Sequence, residues 1–592
     1  MDKKSLLAML IIAVILLMLP LYQEYILGVK PDQKITTPLN TSDSLKNDKK
    51  GNIQKSDIPA EKNTVENSEE ISNPEENNSE ISVPDSLEKI IRIETKNYIV
   101  ELSNIGGGGL KSFILKNYSK YDSSLVNMIS DKLKNNLTLS FQDASGSYID
   151  TKNSLYSTSI DIPFKKLKDS EEFKLKYVLD YKGTKITKEF VFLDESYHID
   201  LDISFSDNSI MLNNQYQVNW LNGLPSTESY VEDDNEYSQA FVYMGDELEA
   251  FKVNDPGPTE VTTYSGKADW LAIRTKYFIT SISVLDADVS NGVYFKGLGI
   301  KHEAYLQKLY NMGFFAQYSP SKKYDSYRIY IGPLSNKELV KYDNHLDELI
   351  MNNGAYERFF RPISKLILPV LEFLHSFIPN WGIVIIIFSI LIKIVLFPLT
   401  KKSYQSTKKM QVLQPKMTEI REKFKNDPQR MNKEMMKLYQ EHGSPLSGCL
   451  PMLLQMPLLL ALYIVFRSTI QLRGAVFIPG WIDDLSRADT IFHLPFSIPL
   501  YGHDFNLLPI LMALTMFLQS KMTMQDPKQK AMVYVMPVFM LAIFNRFPSG
   551  LNLYYTMFNL LTIIQQKLIH TDDKDKTPEK NKAVNKKNTR KK

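Results

Sequence analysis

The sequence predicts an α-helical membrane protein of six spans carrying a large all-β domain outside the bilayer, and three observations lead there. Apolar runs crowd into residues 5–27 and 377–569 of the 592-residue chain, while the middle has ordinary soluble composition. From about 88 to 333 that middle alternates apolar and polar residues in short runs, such as Ile91 and Ile93, then Tyr98, Val100 and Leu102. A period of two repeated in this way belongs to antiparallel strands packed as a sandwich or barrel. Basic residues gather at 401–448, at Lys521, Lys528 and Lys530, and in the tail with Lys586, Lys587, Arg590, Lys591 and Lys592, which places all three regions in the cytoplasm. The loop 472–504, with Asp483, Asp484, Asp489 and Asp504, then falls outside, and both termini fall inside.

The bulk numbers remove several function classes. A net charge of +3 is too small to imply nucleic acid, and no zinc-type Cys/His spacing or basic recognition helix is present. The single cysteine, Cys449, rules out intrachain disulfides. Residues 446–449 read LSGC, a lipid-attachment look-alike, but lie deep inside the chain.

In chain order, residues 1–29 join a short basic start to an unbroken apolar run. They read as a signal peptide or an uncleaved anchor, and the length of the run and the lack of a small-x-small site favour a signal-anchor helix. Residues 30–87, rich in Asn, Ser, Glu, Asp, Lys and Pro, cannot bury enough surface to fold and form a tether. The β domain with a C-terminal helix at 334–351 occupies 88–351. Its Gly106 to Gly109 run resembles a phosphate loop only superficially, because Leu110 stands where a glycine must precede Lys111. A tight turn or a close backbone approach explains it better.

Residues 352–380 form an amphipathic helix for the membrane interface. Phe359, Phe360, Leu366, Phe373 and Phe377 belong to its broad apolar face, Arg358, Arg361, Lys365, Glu372 and His375 to its polar edge, and Pro362 and Pro369 disfavour a straight spanning rod. The core of five spans is 381–570. Within it, 401–448 is a cytoplasmic helical hairpin, with Met410, Leu413, Met417, Ile420 and Phe424 on one arm and Met431, Met435 and Leu438 on the other; Asp427 caps the second arm and Pro428 opens it. Further spans are expected at 450–466, 507–518, 531–547 and 551–569, several of them short enough to require a thinned bilayer. Pro548, Ser549 and Gly550 make the turn between the last two, and 571–592 is a basic cytoplasmic tail.

The span 381–402 holds one charge, Lys393, roughly 18 Å in from Trp381 and about 10 Å short of Lys401 and Lys402. A charge at that depth costs a few kcal/mol and normally faces a wet cavity or a partner, so Lys393 is the first candidate for function.

Three passages then resemble the YidC/Oxa/Alb membrane protein insertases: NWGIVIIIFSILIKIVLFPLTKKSYQSTKKMQVLQPKM, SPLSGCLPMLLQMPLLLALY and FPSGLNLYYTMFNLLTIIQQ. RTKYFITSIS around Tyr277 and Phe278, and YIGPLSNKEL, resemble the large periplasmic domain of the Gram-negative YidC subtype. The resemblance implies a β-supersandwich periplasmic domain over residues 30–355 with its tether, a multi-pass place in the cell inner membrane, and no enzymatic chemistry or cofactor. It implies a hydrophilic groove holding one basic residue, matched here by Lys393, where many relatives carry arginine. The implied clients are nascent inner-membrane proteins, received alone or beside the Sec translocon. The implied recruiters of ribosomes and signal-recognition components are the hairpin and the basic tail, which could equally touch anionic lipid.

Polar residues in the spans fit a substrate-binding groove: Ser389 one turn before Lys393, Gln455 in the next span, and Tyr554 and Tyr555 in the last. Met456, Leu458 and Leu459 beside Pro457 fit a greasy slide for an exiting client or lipid-facing bulk, and Asn559, Gln565 and Gln566 fit interhelical bonds. The rival reading is a small-solute transporter or channel using the intramembrane lysine. The spans offer it no Asp, Glu or His relay and no inverted repeat, nor do they offer the paired acids or nucleophile of a protease.

Overall fold

The computed structural model describes residues 87–129, 136–286, 288–303, 305–319, 321–442, 450–523 and 530–574. The expected signal-anchor, nearly all of the tether and tail, and Cys449 lie outside them.

The alternating segment folds into three antiparallel-dominated sheets. A nine-stranded sheet runs in the order Glu247–Phe251, Gln239–Met244, Trp270–Arg274, Phe278–Val284, Asp325–Pro333, His198–Phe205, Thr184–Leu193, Glu172–Tyr181 and Ser157–Thr158. A six-stranded sheet lies against it, and the layers are joined by a buried hydrogen bond from Tyr216 to Asp325, 2.7 Å, and by the Tyr216 and Tyr327 hydroxyls, also 2.7 Å apart. A five-stranded sheet, Leu125–Asn127 through Phe164–Lys166, completes the domain. Trp220, Trp270, Tyr98, Tyr177 and Tyr310 are among its largest fully buried side chains, so the aromatics serve the core.

The glycine run is a close backbone approach. Gly107 and Gly108 take φ of +63° and +86°, and a Cβ on them would stand 2.6 Å from the Tyr156 ring and 2.3 Å from the Phe190 ring. The Gly106 carbonyl accepts from the buried Lys188 ammonium at 3.1 Å.

The helix expected over 334–351 is corrected to a series of short turns, Asn336–Leu339, Val340–Tyr342 and Leu346–Leu349. Asp343 and His345 adopt left-handed φ of 47° and 64°, which no continuous helix tolerates.

Eight helices position the candidate site: α1 (Val231–Tyr237), α2 (Ala355–Phe377), α3 (Trp381–Lys423), α4 (Pro428–His442), α5 (Leu450–Ser468), α6 (Leu507–Thr523), α7 (Lys530–Phe544) and α8 (Ser549–Lys574). Helix α2 runs unbroken through Pro362 and Pro369. It buries Ile367, Leu368 and Leu371 and fixes Ser364 to the Ala461 carbonyl of α5 at 3.1 Å. Phe359, Leu366, Phe373 and Phe377, spaced seven, seven and four apart, stay exposed in one stripe.

Helix α3 is a single rod of 43 residues that carries both the expected span and the first hairpin arm. Asn380 caps it, accepting from the Ile383 amide at 3.1 Å. Asp427 caps α4 through the Arg430 amide at 3.0 Å, and Leu413, Met417, Met435 and Leu438 close the seam between the arms with Ile420 and Met431 against them. The Met410 side chain lies outside the described positions. Among the described residues, the 21-residue stretch Trp381–Lys401 is long and apolar enough by itself to cross a membrane; Gln455–Ser468, Leu507–Met522 and Val533–Phe544 are shorter apolar stretches.

Candidate functional site

Helices α3 and α8 pack lengthwise, and their shared face carries polar groups at helical spacing. Tyr554, Phe558, Thr562 and Gln565 recur at steps of four, four and three on α8, which brings them onto one side. Phe388, Lys393 and Thr400 answer from α3: the Phe388 and Tyr554 rings lie 6.2 Å apart, and Gln565 donates to the Thr400 hydroxyl at 3.0 Å.

Lys393 sits midway along this face and is 7% exposed. Its ammonium donates to the Thr562 hydroxyl at 2.5 Å and stands 3.7 Å from the centre of the Phe558 ring. Thr562 in turn donates to the Phe558 carbonyl at 2.7 Å, so its lone pairs are turned toward the lysine. No carboxylate among the described residues lies within ion-pair distance of Lys393. A desolvated ring face contributes about 2 kcal/mol to a cation, and a charged hydrogen bond about 1.5–3 kcal/mol. Neither cancels the charge, so the site retains an attraction for an anion.

The other groove candidates divide. Ser389 is fully buried and its hydroxyl donates to the Ile385 carbonyl of its own helix at 2.8 Å, leaving a small satisfied side chain one turn from Lys393. Tyr554 and Tyr555 are buried, their rings meet edge to face at 5.2 Å, and neither hydroxyl has a well-formed hydrogen bond among the described residues. The half-buried Gln455 side chain of α5 is the polar neighbour of the Tyr555 hydroxyl. Buried hydroxyls are seldom left without a well-formed hydrogen bond, so these two are polar groups set into an otherwise apolar wall. Met456 is half exposed, whereas Leu458 and Leu459 lie partly buried against the core. Asn559 reaches away from this face to Thr515 of α6 at 3.4 Å.

Sequence reasoning missed Thr562 and Phe558. A threonine and a phenylalanine in an apolar helix carry no signal on their own, although their spacing of four with Tyr554 could have placed them on the lysine's side.

It also missed a charged seam where the β domain meets the helices. Arg467, in the last turn of α5, donates to Asp233 and, at 3.0 Å, to Glu236 of α1. Lys276 reaches Asp233 from the other side at 2.5 Å. Burial pushes the Asp233 carboxyl up, but the charges of Arg467 and Lys276 outweigh it and hold the group well below the usual carboxylate range. Glu228 is shared by Arg473 at 2.7 Å and Arg487 at 3.1 Å, both from the loop after α5. Tyr277 closes the seam, its hydroxyl donating to the Arg467 carbonyl at 3.1 Å.

In that loop the acids have local structural partners. Asp489 accepts from the Leu507 and Leu508 amides at 3.0 and 2.7 Å and so opens α6, and Asp484 pairs with Arg487 at 3.2 Å.

Two family models match the chain: residues 373–576 fit the one described as 60Kd inner membrane protein, and residues 90–366 the one described as YidC periplasmic domain. The membrane protein insertase YidC of Prosthecochloris aestuarii is 37% identical over 529 residues, covering 88% of each chain. That of Chlorobaculum parvum is 38% identical over 503 residues, covering 83% of this chain and 84% of the relative. A solved structure of an active YidC insertase with its first transmembrane domain resolved is 19% identical, covers 81% of this chain and 94% of that one, and has a TM-score of 0.32.

Proposed function

Since the chain belongs to the YidC family of membrane protein insertases, we propose that it inserts nascent inner-membrane proteins by drawing their polar external ends toward Lys393 while their apolar segments pass into lipid. The observation that carries this reading is a buried lysine that, among the described residues, is held by a hydroxyl and a ring face and by no carboxylate. Its residual attraction suits the carboxylates of a short acidic tail, and a lower dielectric lengthens its reach. Ser389, Gln455, Tyr554 and Tyr555 line the groove with it and bind the passing tail. Met456, Leu458 and Leu459 form the slide by which the client leaves along α5. Burial of the client's apolar span supplies the energy, so no nucleotide or cofactor is needed.

The helices make up five spans, with residues 1–29 the sixth, and the short apolar stretches of α5 to α7 thin the bilayer around the site. Both termini lie in the cytoplasm, and the β domain rests on the outer surface through the exposed stripe of α2. The α3–α4 hairpin and the basic tail face the cytoplasm, where they receive ribosomes and signal-recognition components, and the core works alone or beside the Sec translocon.

Proteoliposomes carrying the purified chain test this reading against a solute transporter. A single-span client with an acidic external tail is expected to gain a protease-protected tail without nucleotide, with no release of trapped small anions. Anion release without tail protection would overturn it.

A further inference from the structure

The loop between α5 and α6 carries an antiparallel hairpin, Thr490–Ile498 with Gly502–Asn506, which insertion as described does not use. His493 and Asp504 are paired across its strands, with the His493 Nδ1 2.7 Å from the Asp504 Oδ1. The His503 Nε2 approaches the same oxygen at 3.3 Å. Two imidazole nitrogens and a carboxylate oxygen thus converge within 4.8 Å of one another. Ligand atoms around a tetrahedral ion with bonds of about 2.0–2.2 Å stand roughly 3.3–3.6 Å apart. An ion that displaced the proton shared by His493 and Asp504 would spread that pair from 2.7 Å and hold the two exposed imidazoles, which are free to turn, on the same side of it.

The strand that supplies two of the three groups is held in place from below. Asn545, buried just beyond α7, donates to the carbonyls of Tyr501 and Asp504, each at 2.9 Å. The Asn506 amide donates to the Asn545 side-chain oxygen at 3.0 Å. Such support fixes ligand positions before an ion arrives, which favours binding. The histidine side chains are 64% and 61% exposed, so an ion has open entry and room for a water as fourth ligand.

We propose that His493, His503 and Asp504 bind a borderline divalent transition ion of the Zn²⁺ type, tying together the two strands of the hairpin that links α5 to α6. Two imidazoles with one carboxylate suit that class, whereas Ca²⁺ and Mg²⁺ require more oxygen ligands than the cluster offers.

The test uses the full chain in nanodiscs, stripped with a chelator and titrated calorimetrically with Zn²⁺ alone. Wild type is expected to bind one more ion than the H493Q/H503Q double variant, and H503Q or D504N alone to weaken that site at least tenfold. Amide hydrogen exchange over 490–506 is expected to slow on adding Zn²⁺ in wild type and to stay unchanged in the double variant. The remaining histidines and Cys449 contribute equally to both proteins. Equal stoichiometry and affinity in wild type and double variant, or exchange that Zn²⁺ leaves unaltered in wild type, would overturn the proposal.

Discussion

Lys393 and Thr562 come from helices 169 positions apart in sequence and meet at 2.5 Å, so their energies should not add. Thr562→Val is expected to cost about 1–3 kcal/mol by removing the hydroxyl that the buried ammonium donates to. In the background of Lys393→Met the same change should cost less, the difference being a coupling of about 0.5–3 kcal/mol. Thermal melts of the four proteins in detergent complete the cycle. Only the lysine was legible in the sequence, because a charge inside an apolar run stands out at once. Its partners are ordinary residues of a distant helix, and nothing local marks them.

A second residue sets a pH dependence in the β domain. Burial, aided by the Arg328 charge and opposed by Asp200, lowers His198 to about 4, and its Nδ1 meets the Tyr342 hydroxyl at 3.0 Å. The imidazole stays neutral in the fold, while the unfolded chain takes up a proton near 6.5. The stability this gives is complete above about pH 6.5 and is lost as the pH falls toward 4, on the order of 3 kcal/mol in all. Chemical denaturation of the full chain between pH 7 and 4 should show that loss, and His198→Gln should flatten the profile.

At the scale of elements, the seam and cap of the helical hairpin were legible in the pattern. The three-and-four spacing of Leu413, Met417 and Ile420 and the Asp427 cap both survive in the structure, because capping and seam packing are local. Leu438→Asp puts a charge into that seam and is expected to speed amide exchange across α4 at least tenfold, equivalent to about 1.4 kcal/mol of local opening. The buried half of α3 should exchange as before. The region 334–351 defeated the same reasoning, since a helical pattern of apolar residues does not reveal that Asp343 and His345 turn left-handed. The hairpin at 490–506 escaped for a related reason: its first strand leaves Ile491, Phe492 and Phe496 exposed, so no buried face imposed a period of two.

Over the whole molecule, division into a β domain and a helical core was legible because burial in the soluble part and apolarity in the membrane part impose different periods. The join between them was not. It depends on Arg467, Arg473 and Arg487 meeting Asp233, Glu236 and Glu228 across more than two hundred positions, which no local pattern encodes. Arg467→Leu takes away the cation that Glu236 pairs with and leaves Asp233 to Lys276, and it is expected to destabilise the chain by about 1–3 kcal/mol. Adding Glu236→Gln should restore part of that loss, whereas adding Asp233→Asn should deepen it by stranding the buried Lys276, measured by denaturant unfolding of the four proteins.

The most direct test of insertion through an uncompensated cation replaces Lys393 by Arg, Met and Glu in vesicles depleted of native insertase, using a small client with an acidic external tail. At equal abundance, Arg is expected to insert the client at a rate near wild type, and Met and Glu to fall at least tenfold, a loss of about 1.4 kcal/mol or more. A Met variant that inserts the client as well as wild type would contradict the account and leave the thinned bilayer and the slide along α5 to explain insertion.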